Sequence, residues 1–442
     1  MDQKPETLIY GREDRPPLRD MLLLGLQHIF LMSSTLVLPV VLVNNIGGDS
    51  DEVEAVVCLT MIAAGLGTIV QSLRLGPLGS GYLVPNLAGP SFFGVSMRAA
   101  WMGGLPLMHG MILVAGVFEA LFSRVVHRVR FLFPANVTGL VVLMVAVGLI
   151  PVGTCKFLGV ENQGDLIKPA NLAVAFLTLG CMVGINVWSR SRIRLYSVLV
   201  GMVSGYAASF AFGLLSLSDF LQVAAEKWVS LPMLSGVSFH WAFSWELVLP
   251  FCIVSLCVSL KAFGNLITAQ RINDPDWSEP EMKSIGNGLL ADSVSVLAAG
   301  LLGGMATDTS ASNVGLSLAT RATSRRIAWA CGGLFIFLGF FPKLGALFSI
   351  MPPPVMGSIL IFVTSYMVLS GFQIILSSKP DQKHIFVIGI AFIFGLSVDL
   401  LPGLYADVPH VLKPLFGSSL TLSTVLAILL NQVLFARKAK QG

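Results

Sequence analysis

The chain alternates long apolar runs with short polar breaks; Met21–Val43, Leu107–Phe122, Ala328–Phe341 and Ile385–Leu396 are examples of the runs. A stretch of about 20 apolar residues crosses a hydrocarbon core of roughly 30 Å as a helix. In lipid a chain pairs its backbone only as helices or as a closed barrel. The runs are continuous rather than alternating, so the pattern predicts helices and excludes a barrel. It predicts an all-α membrane protein of fourteen segments, near 20–43, 53–73, 82–98, 101–123, 134–154, 170–189, 195–215, 246–270, 283–304, 307–320, 326–350, 353–377, 384–401 and 417–436.

Two of these segments make poor spans. Tyr82–Arg98 reads YLVPNLAGPSFFGVSMR, short and interrupted by prolines and glycines, and Thr307–Thr320 reads TDTSASNVGLSLAT, too polar and too short for a continuous crossing. They stand third in the first group of seven and third in the second. Matched interruptions point to an inverted repeat whose broken helices meet near the bilayer midplane. Because seven is odd, equivalent halves are necessarily inverted. Half-helices turn unpaired N–H groups and a positive dipole end toward a ligand; the plainer alternative is a pair of re-entrant loops that only pack. The resulting division is a polar tail at 1–19, a first repeat at 20–215, an external connection at 216–245, a second repeat at 246–436 and a tail at 437–442.

Composition sharpens this picture. Apolar residues make up 55% of the chain and charged ones 12%, with mean hydropathy +0.80, too little charge for a soluble protein of this size. Met1–Arg19 mixes acids and bases without an apolar core, unlike a signal peptide. Lys and Arg collect on cytoplasmic loops. With both termini inside, 21 of the 28 basic residues fall on the cytoplasmic side and six outside (Arg98, Lys156, Lys168, Lys227, Lys343, Lys413), leaving Lys261 within a span. This predicts a multi-pass protein of the plasma (inner) membrane. The six cysteines are scattered and lack CxxC spacing, so neither a metal site nor a disulfide framework is indicated. Nothing in the pattern calls for an organic cofactor or a nucleic-acid partner.

Ionisable groups inside spans are expensive and face protein or a water-filled path. His28, Lys261, Asp292 and Asp308 are the ones this topology singles out. His28, in GLQHIF, is either a hydrogen-bonded packing residue or part of gating and coupling. Lys261 lies too deep to reach the interface and needs a carboxylate or a substrate acceptor. Asp308 is a natural partner for it and a candidate proton carrier, though an Asp ahead of a short helix also serves as a cap. Asp292 leaves the same two readings open. Glu246 reads as an interfacial end residue. No nucleophile–base or metal constellation suggests an enzyme.

At the second broken segment the chain resembles the nucleobase–ascorbate transporter family, within the uracil/xanthine permease superfamily. That family's signature ends Asn-x-Gly, four residues, Thr, Arg or Lys; here it reads Ser312-Asn313-Val314-Gly315-Leu316-Ser317-Leu318-Ala319-Thr320-Arg321. GLQH (Gly25–His28), PSFFG (Pro90–Gly94), FLFPANVTG (Phe131–Gly139) and FFPKLGALFSIMPPPVMGS (Phe340–Ser358) resemble further motifs in the family's order. The resemblance implies two inverted seven-span repeats forming a core and a gate domain, with a short strand before each half-helix in the third and tenth segments. It also implies dimerisation through the gate and uptake driven by protons or sodium. The substrate would sit among Lys261, Ser312, Asn313, Asn265, Ser91 and Phe92, with Asp308, Asp292 and His28 in coupling or gating. Lys261 stands where the family carries a ring-reading Glu, Ser312 where it carries Gln or Glu, and Asp308 where Thr or Ser is common. A donor in place of an acceptor favours acceptor-rich or anionic ligands. The expectation is a proton symporter of a nucleobase-like heterocycle; the alternatives are a carrier of a small organic or inorganic anion and a transport-inactive membrane binding protein.

Overall fold

The computed structural model describes residues 5, 8–129, 134–160, 165–189, 197–230, 240–274, 280–377, 381–405, 408, 416 and 419–435. Outside the described residues lie the ends of both expected tails, residues 131–133 of the FLFPANVTG motif, residue 436 of the last expected segment, and Arg130, Arg190, Arg192, Arg194, Lys379 and Lys413. The chain opens with α1 (Leu18–Ser33), which passes through a 3-10 turn into α2 (Val37–Asn45), followed by α3 (Ser50–Ser72). Strand β1 (Asn86–Ala88) leads into α4 (Phe93–Val129), then α5 (Ala135–Leu158), α6 (Pro169–Trp188), α7 (Ser197–Ala211) and α8 (Leu217–Ala225). The second half holds α9 (Trp245–Asn273), α10 (Met282–Leu302), β2 (Thr307–Thr309), α11 (Ala311–Ala319), α12 (Arg325–Leu338), α13 (Pro342–Ser349), α14 (Pro353–Ser377), α15 (Gln382–Leu400) and α16 (Ser419–Phe435).

Among the described residues nine helical stretches are long and apolar enough to cross a membrane, ten if α12 and α13 count as one span; α7 and α16 are shorter apolar helices. Three expected boundaries change. The segment at 326–350 is not straight, because α12 and α13 meet at a 75° bend, where Pro342 opens the new helix and lacks the N–H needed to continue the old one. The segments at 82–98 and 101–123 are joined through α4, broken inside by non-helical Gly103 and Gly104, and the second part runs on to Val129. The connection at 216–245 is partly helical, as α8.

The helices pack in two groups, each drawn from both halves of the sequence. One contains α1, α3, α4 and α9–α13; the other contains α5–α7 and α14–α16. Glycines bring helix backbones together in both groups. A Cβ at Gly65 would stand 2.7 Å from the Gly332 carbonyl oxygen, drawing α3 against α12, and one at Gly139 would stand 2.8 Å from that of Gly371, drawing α5 against α14. Small residues allow this backbone approach, which is how helices gain contact where lipid supplies no hydrophobic drive.

The N-terminal segment is tied down. Ile9 and Tyr10 donate to the Arg321 carbonyl (2.8 and 3.2 Å), Thr323 N donates to Tyr10 O (2.8 Å) and Arg325 N to Arg12 O (3.1 Å). An ion pair between Arg325 and Glu13 (2.7 Å) and the Arg12 guanidinium over the Tyr82 ring extend the strap from the α11–α12 turn to the chain entering β1. Tyr10 donates its hydroxyl to Asp20 (2.6 Å), which raises the Tyr10 pKa above its ordinary value.

Candidate functional site

The two polar interruptions become a pair of strands. β1 and β2 run antiparallel, Asn86 opposite Thr309, Leu87 opposite Asp308 and Ala88 opposite Thr307, and Gly89 N→Ala306 O (2.8 Å) and Ser310 N→Pro85 O (2.9 Å) continue the ladder. Pro85 and Pro90 hold the flanking backbone extended, and non-helical backbone within a membrane has to find partners in the protein. Side-chain hydroxyls supply the rest: Thr68 accepts from Asn86 N (3.0 Å), Thr60 accepts from Met305 N (2.8 Å), and Ser295 bonds Thr307 (2.7 Å).

Lys261, on α9, reaches this sheet. Its Nζ lies 2.9 Å from Asp308 Oδ2; the Lys261 side chain is 20% exposed and that of Asp308 is completely enclosed. At that separation and an effective dielectric near 20 the attraction is on the order of 5 kcal/mol, reduced by the cost of desolvating both charges. The approach is one of charge rather than of hydrogen-bond alignment, and neither Asp308 oxygen gains a hydrogen-bond donor from the described residues. The pairing that the sequence suggested is therefore present, with Asp308 inside β2 instead of acting as a helix cap; Ser310 caps α11.

Behind this pair lie two more buried acids. Asp292 on α10 accepts from Asn86 Nδ2 at 2.5 Å. Glu119 on α4 accepts from Ser259 Oγ at 3.1 Å. The two carboxyl groups are within hydrogen-bonding reach of each other, and both feel the charge of Asp308. Both are fully enclosed. Glu119 was missed by the sequence reading: an expected span end at 123 makes it a residue near the interface, whereas α4 extends to Val129 and leaves it deep. The signal was a lone carboxylate in GVFEALF (Gly116–Phe122).

The signature residues divide. Asn313 is fully buried; its Nδ2 donates to Ser310 Oγ (2.8 Å) and its Oδ1 meets His28 Nδ1 (2.7 Å). That amide orientation requires the proton on His28 Nδ1, so α1 and α11 are tied through the two side chains. Asn265 donates to Thr309 Oγ1 (3.0 Å) and braces β2. Ser312 and Gly315 are exposed, Thr320 bonds back to Leu316 O (2.8 Å), and Arg321 adopts a left-handed φ of 55° at the turn. Ser91 is nearly buried, and Phe92 is completely enclosed. A Cβ at Gly94, Gly264 or Gly315 would meet nothing within 4 Å. The first half-helix, α9 and α11 thus each leave open space at these positions. Among the described residues no group of three His, Cys, Asp or Glu side chains converges to hold a metal ion.

Comparison with known proteins gives a consistent picture. The model of the Permease family that takes in the xanthine and uracil permeases matches residues 19–404. Xanthine permease XanP of Escherichia coli (strain K12) is 26% identical over 444 residues, covering 96% of this chain and 94% of its own. Uric acid permease PucJ of Bacillus subtilis (strain 168) is 26% identical over 427 residues, covering 95% and 93%. Among solved structures, the transmembrane domain of a cyanobacterium bicarbonate transporter, BicA, superimposes with a TM-score of 0.64 at 12% identity over 95% of this chain and 99% of that one. The chain is similar to that domain in fold.

Proposed function

The chain belongs to this permease family, which makes it a multi-pass membrane transporter rather than an enzyme, and on that premise we propose that it carries a nucleobase-like heterocycle as a proton symporter by alternating access. The observation that carries the reading is the Lys261–Asp308 ion pair at 2.9 Å, set against the paired strands and the starts of two half-helices. An ammonium held by one carboxylate is a donor that an acceptor-rich ring can compete for. Oxidised purines such as xanthine and urate present that pattern of carbonyls and acidic N–H groups. The relatives named for xanthine and uric acid support this substrate class.

In this reading Lys261, Ser312, Asn313, Asn265, Ser91 and Phe92 surround the substrate. Asp308, Asp292 and His28 serve coupling and gating. Protonation of Asp308 releases Lys261 to the substrate, and loss of the proton recaptures it. The packing groups α1, α3, α4, α9–α13 and α5–α7, α14–α16 correspond to core and gate domains of two inverted seven-segment repeats, fourteen segments in all. Exposed positions run from Gly264 through Thr268 to Arg271 and from Ser312 through Gly315 to Arg321. Both lead toward the arginine-bearing side, which supports a site reached from the cytoplasm in this conformation. Both termini are cytoplasmic, the protein resides in the plasma membrane, and the gate domain forms a homodimer.

The test is uptake of radiolabelled xanthine into vesicles with and without an imposed proton gradient, challenged by purines, pyrimidines and small anions. The reading expects oxidised purines to compete and uptake to collapse when the gradient is dissipated. A second reading, a carrier of small anions, is favoured by the positive charge of Lys261. It replaces the first if only non-heterocyclic anions compete, and a sodium gradient that sustains uptake alone would name a different coupling ion.

A further inference from the structure

The Glu119–Asp292 pair is not accounted for by the reading above. Three fully buried carboxyl groups, Glu119, Asp292 and Asp308, stand in one cluster with a single ammonium, that of Lys261. Lys261 touches Asp308, and so leaves the other two acids without a cation in contact. Each of those two has one oxygen satisfied: Glu119 Oε1 by Ser259 Oγ and Asp292 Oδ1 by Asn86 Nδ2. The oxygens left over, Glu119 Oε2 and Asp292 Oδ2, have no donor from the described residues, although the two side chains are within hydrogen-bonding reach of each other. Two ionised carboxylates cannot satisfy one another, because each only accepts; a protonated one donates. The groups facing the pair from the elements around it are Ser259 and Lys261 on α9, Asn86 on β1 and Asp308 on β2.

We propose that Glu119 and Asp292 hold one proton between them, the O–H of one carboxyl donating to the carboxylate of the other, so that Glu119 is a further residue of the coupling site and the cluster carries one negative charge fewer than its acids imply. The proton resides between Oε2 and Oδ2, which removes both orphan oxygens at once. Like charges this close do not both ionise in a dry site. The pair then sets the resting charge against which Lys261 and Asp308 exchange, and it places an acid from α4, outside the signature segment, in the coupling machinery.

The inference deepens the proposed coupling site, but it can be read out without transport, so either fails independently of the other. Infrared spectra of the purified, substrate-free protein in water and heavy water report the stretch of protonated carboxyl groups. Glu119→Gln and Asp292→Asn are each expected to lose one and the same band, and the double variant to lose no more than either single. Additive losses would mean that each acid carries its own proton, and loss in only one variant that the proton is not shared. Unchanged bands would mean that both are ionised. Each of these overturns the proposal, as does disappearance of the band when sodium replaces choline in the buffer. Should the carboxyl variants fail to fold, Ser259→Ala removes the donor to Glu119 Oε1 while keeping both acids. It is expected to shift the same band, and an unmoved band would contradict the assignment.

Discussion

At the first crossover, Asn86–Ala88 passes through Pro90 into a helix whose start carries no side-chain cap, with Phe92 and Phe93 packed into the core. At the second, Thr307–Thr309 passes into α11 beneath a Ser310 cap, with Asp308 and Asn313 buried and bonded or paired to α9 and α1. Both are strand-to-helix turns at the same sheet. One is positioned by aromatic packing and the fixed backbone of proline; the other is positioned by hydroxyls, an amide and a charge. The backbone role is shared; the ion pair and the signature amide lie on the second side, and the first adds the Asn86 amide that bonds Asp292. Changes at the first crossover should therefore fall mainly on stability, and changes at the second on binding and coupling.

The largest effect is expected from Lys261→Met, which leaves Asp308 buried without its cation. Breaking a buried pair from one side costs about 3–5 kcal/mol of stability, and loss of the charged donor, worth about 1.5–3 kcal/mol, should lower substrate affinity measured by equilibrium binding by about 10- to 100-fold. Adding Asp308→Asn should recover the folded protein in the membrane without recovering binding. If the single variant binds normally, the charge is not part of the second crossover's work. At the first crossover, Phe92→Ala opens a cavity beneath the half-helix and should cost about 3–5 kcal/mol, read as a lower unfolding temperature in detergent. An unchanged unfolding temperature would mean that packing does not hold this side. Asn313→Ala removes the acceptor for His28 and the donor to Ser310, a loss of about 1–3 kcal/mol. Transport should drop with normal amounts of protein in the membrane; unchanged uptake would reduce the signature Asn to a local fastener. Smallest is Ser310→Ala, which removes the α11 cap at about 1 kcal/mol, seen as faster amide exchange at Asn313. No equivalent variant exists at the uncapped first crossover.

Much of this arrangement was legible. Two short, polar or proline-broken runs at matched places signalled the crossovers, because such runs cannot cross lipid as plain helices. A lysine and an aspartate within apolar surroundings signalled each other, because neither is stable there alone. What escaped depends on three-dimensional reach. Glu119 was not singled out: it stands four residues before the expected span end at 123, whereas α4 runs on to Val129, and nothing in one sequence shows a helix continuing past its apolar stretch. The bend between α12 and α13 falls inside a segment read as one span, where Pro342 and Lys343 were its signals. The bond from Asn265 to Thr309 Oγ1 was not legible either, because it joins residues 44 positions apart. The strap from Ile9 to Arg325 rests on backbone bonds to the left-handed Arg321, a conformation that non-glycine residues seldom adopt and that side-chain type alone does not announce.

The central claim is that the Lys261 ammonium moves between Asp308 and the substrate, with the proton on Asp308 deciding which it holds. Radiolabelled xanthine binding and uptake in vesicles, compared for the natural protein and Asp308→Asn with and without a proton gradient, tests this most directly. The account predicts that Asp308→Asn binds xanthine at least as tightly as the natural protein and that its uptake no longer responds to the gradient. Uptake by Asp308→Asn that remains fully gradient-driven would contradict it and move the coupling proton to another group.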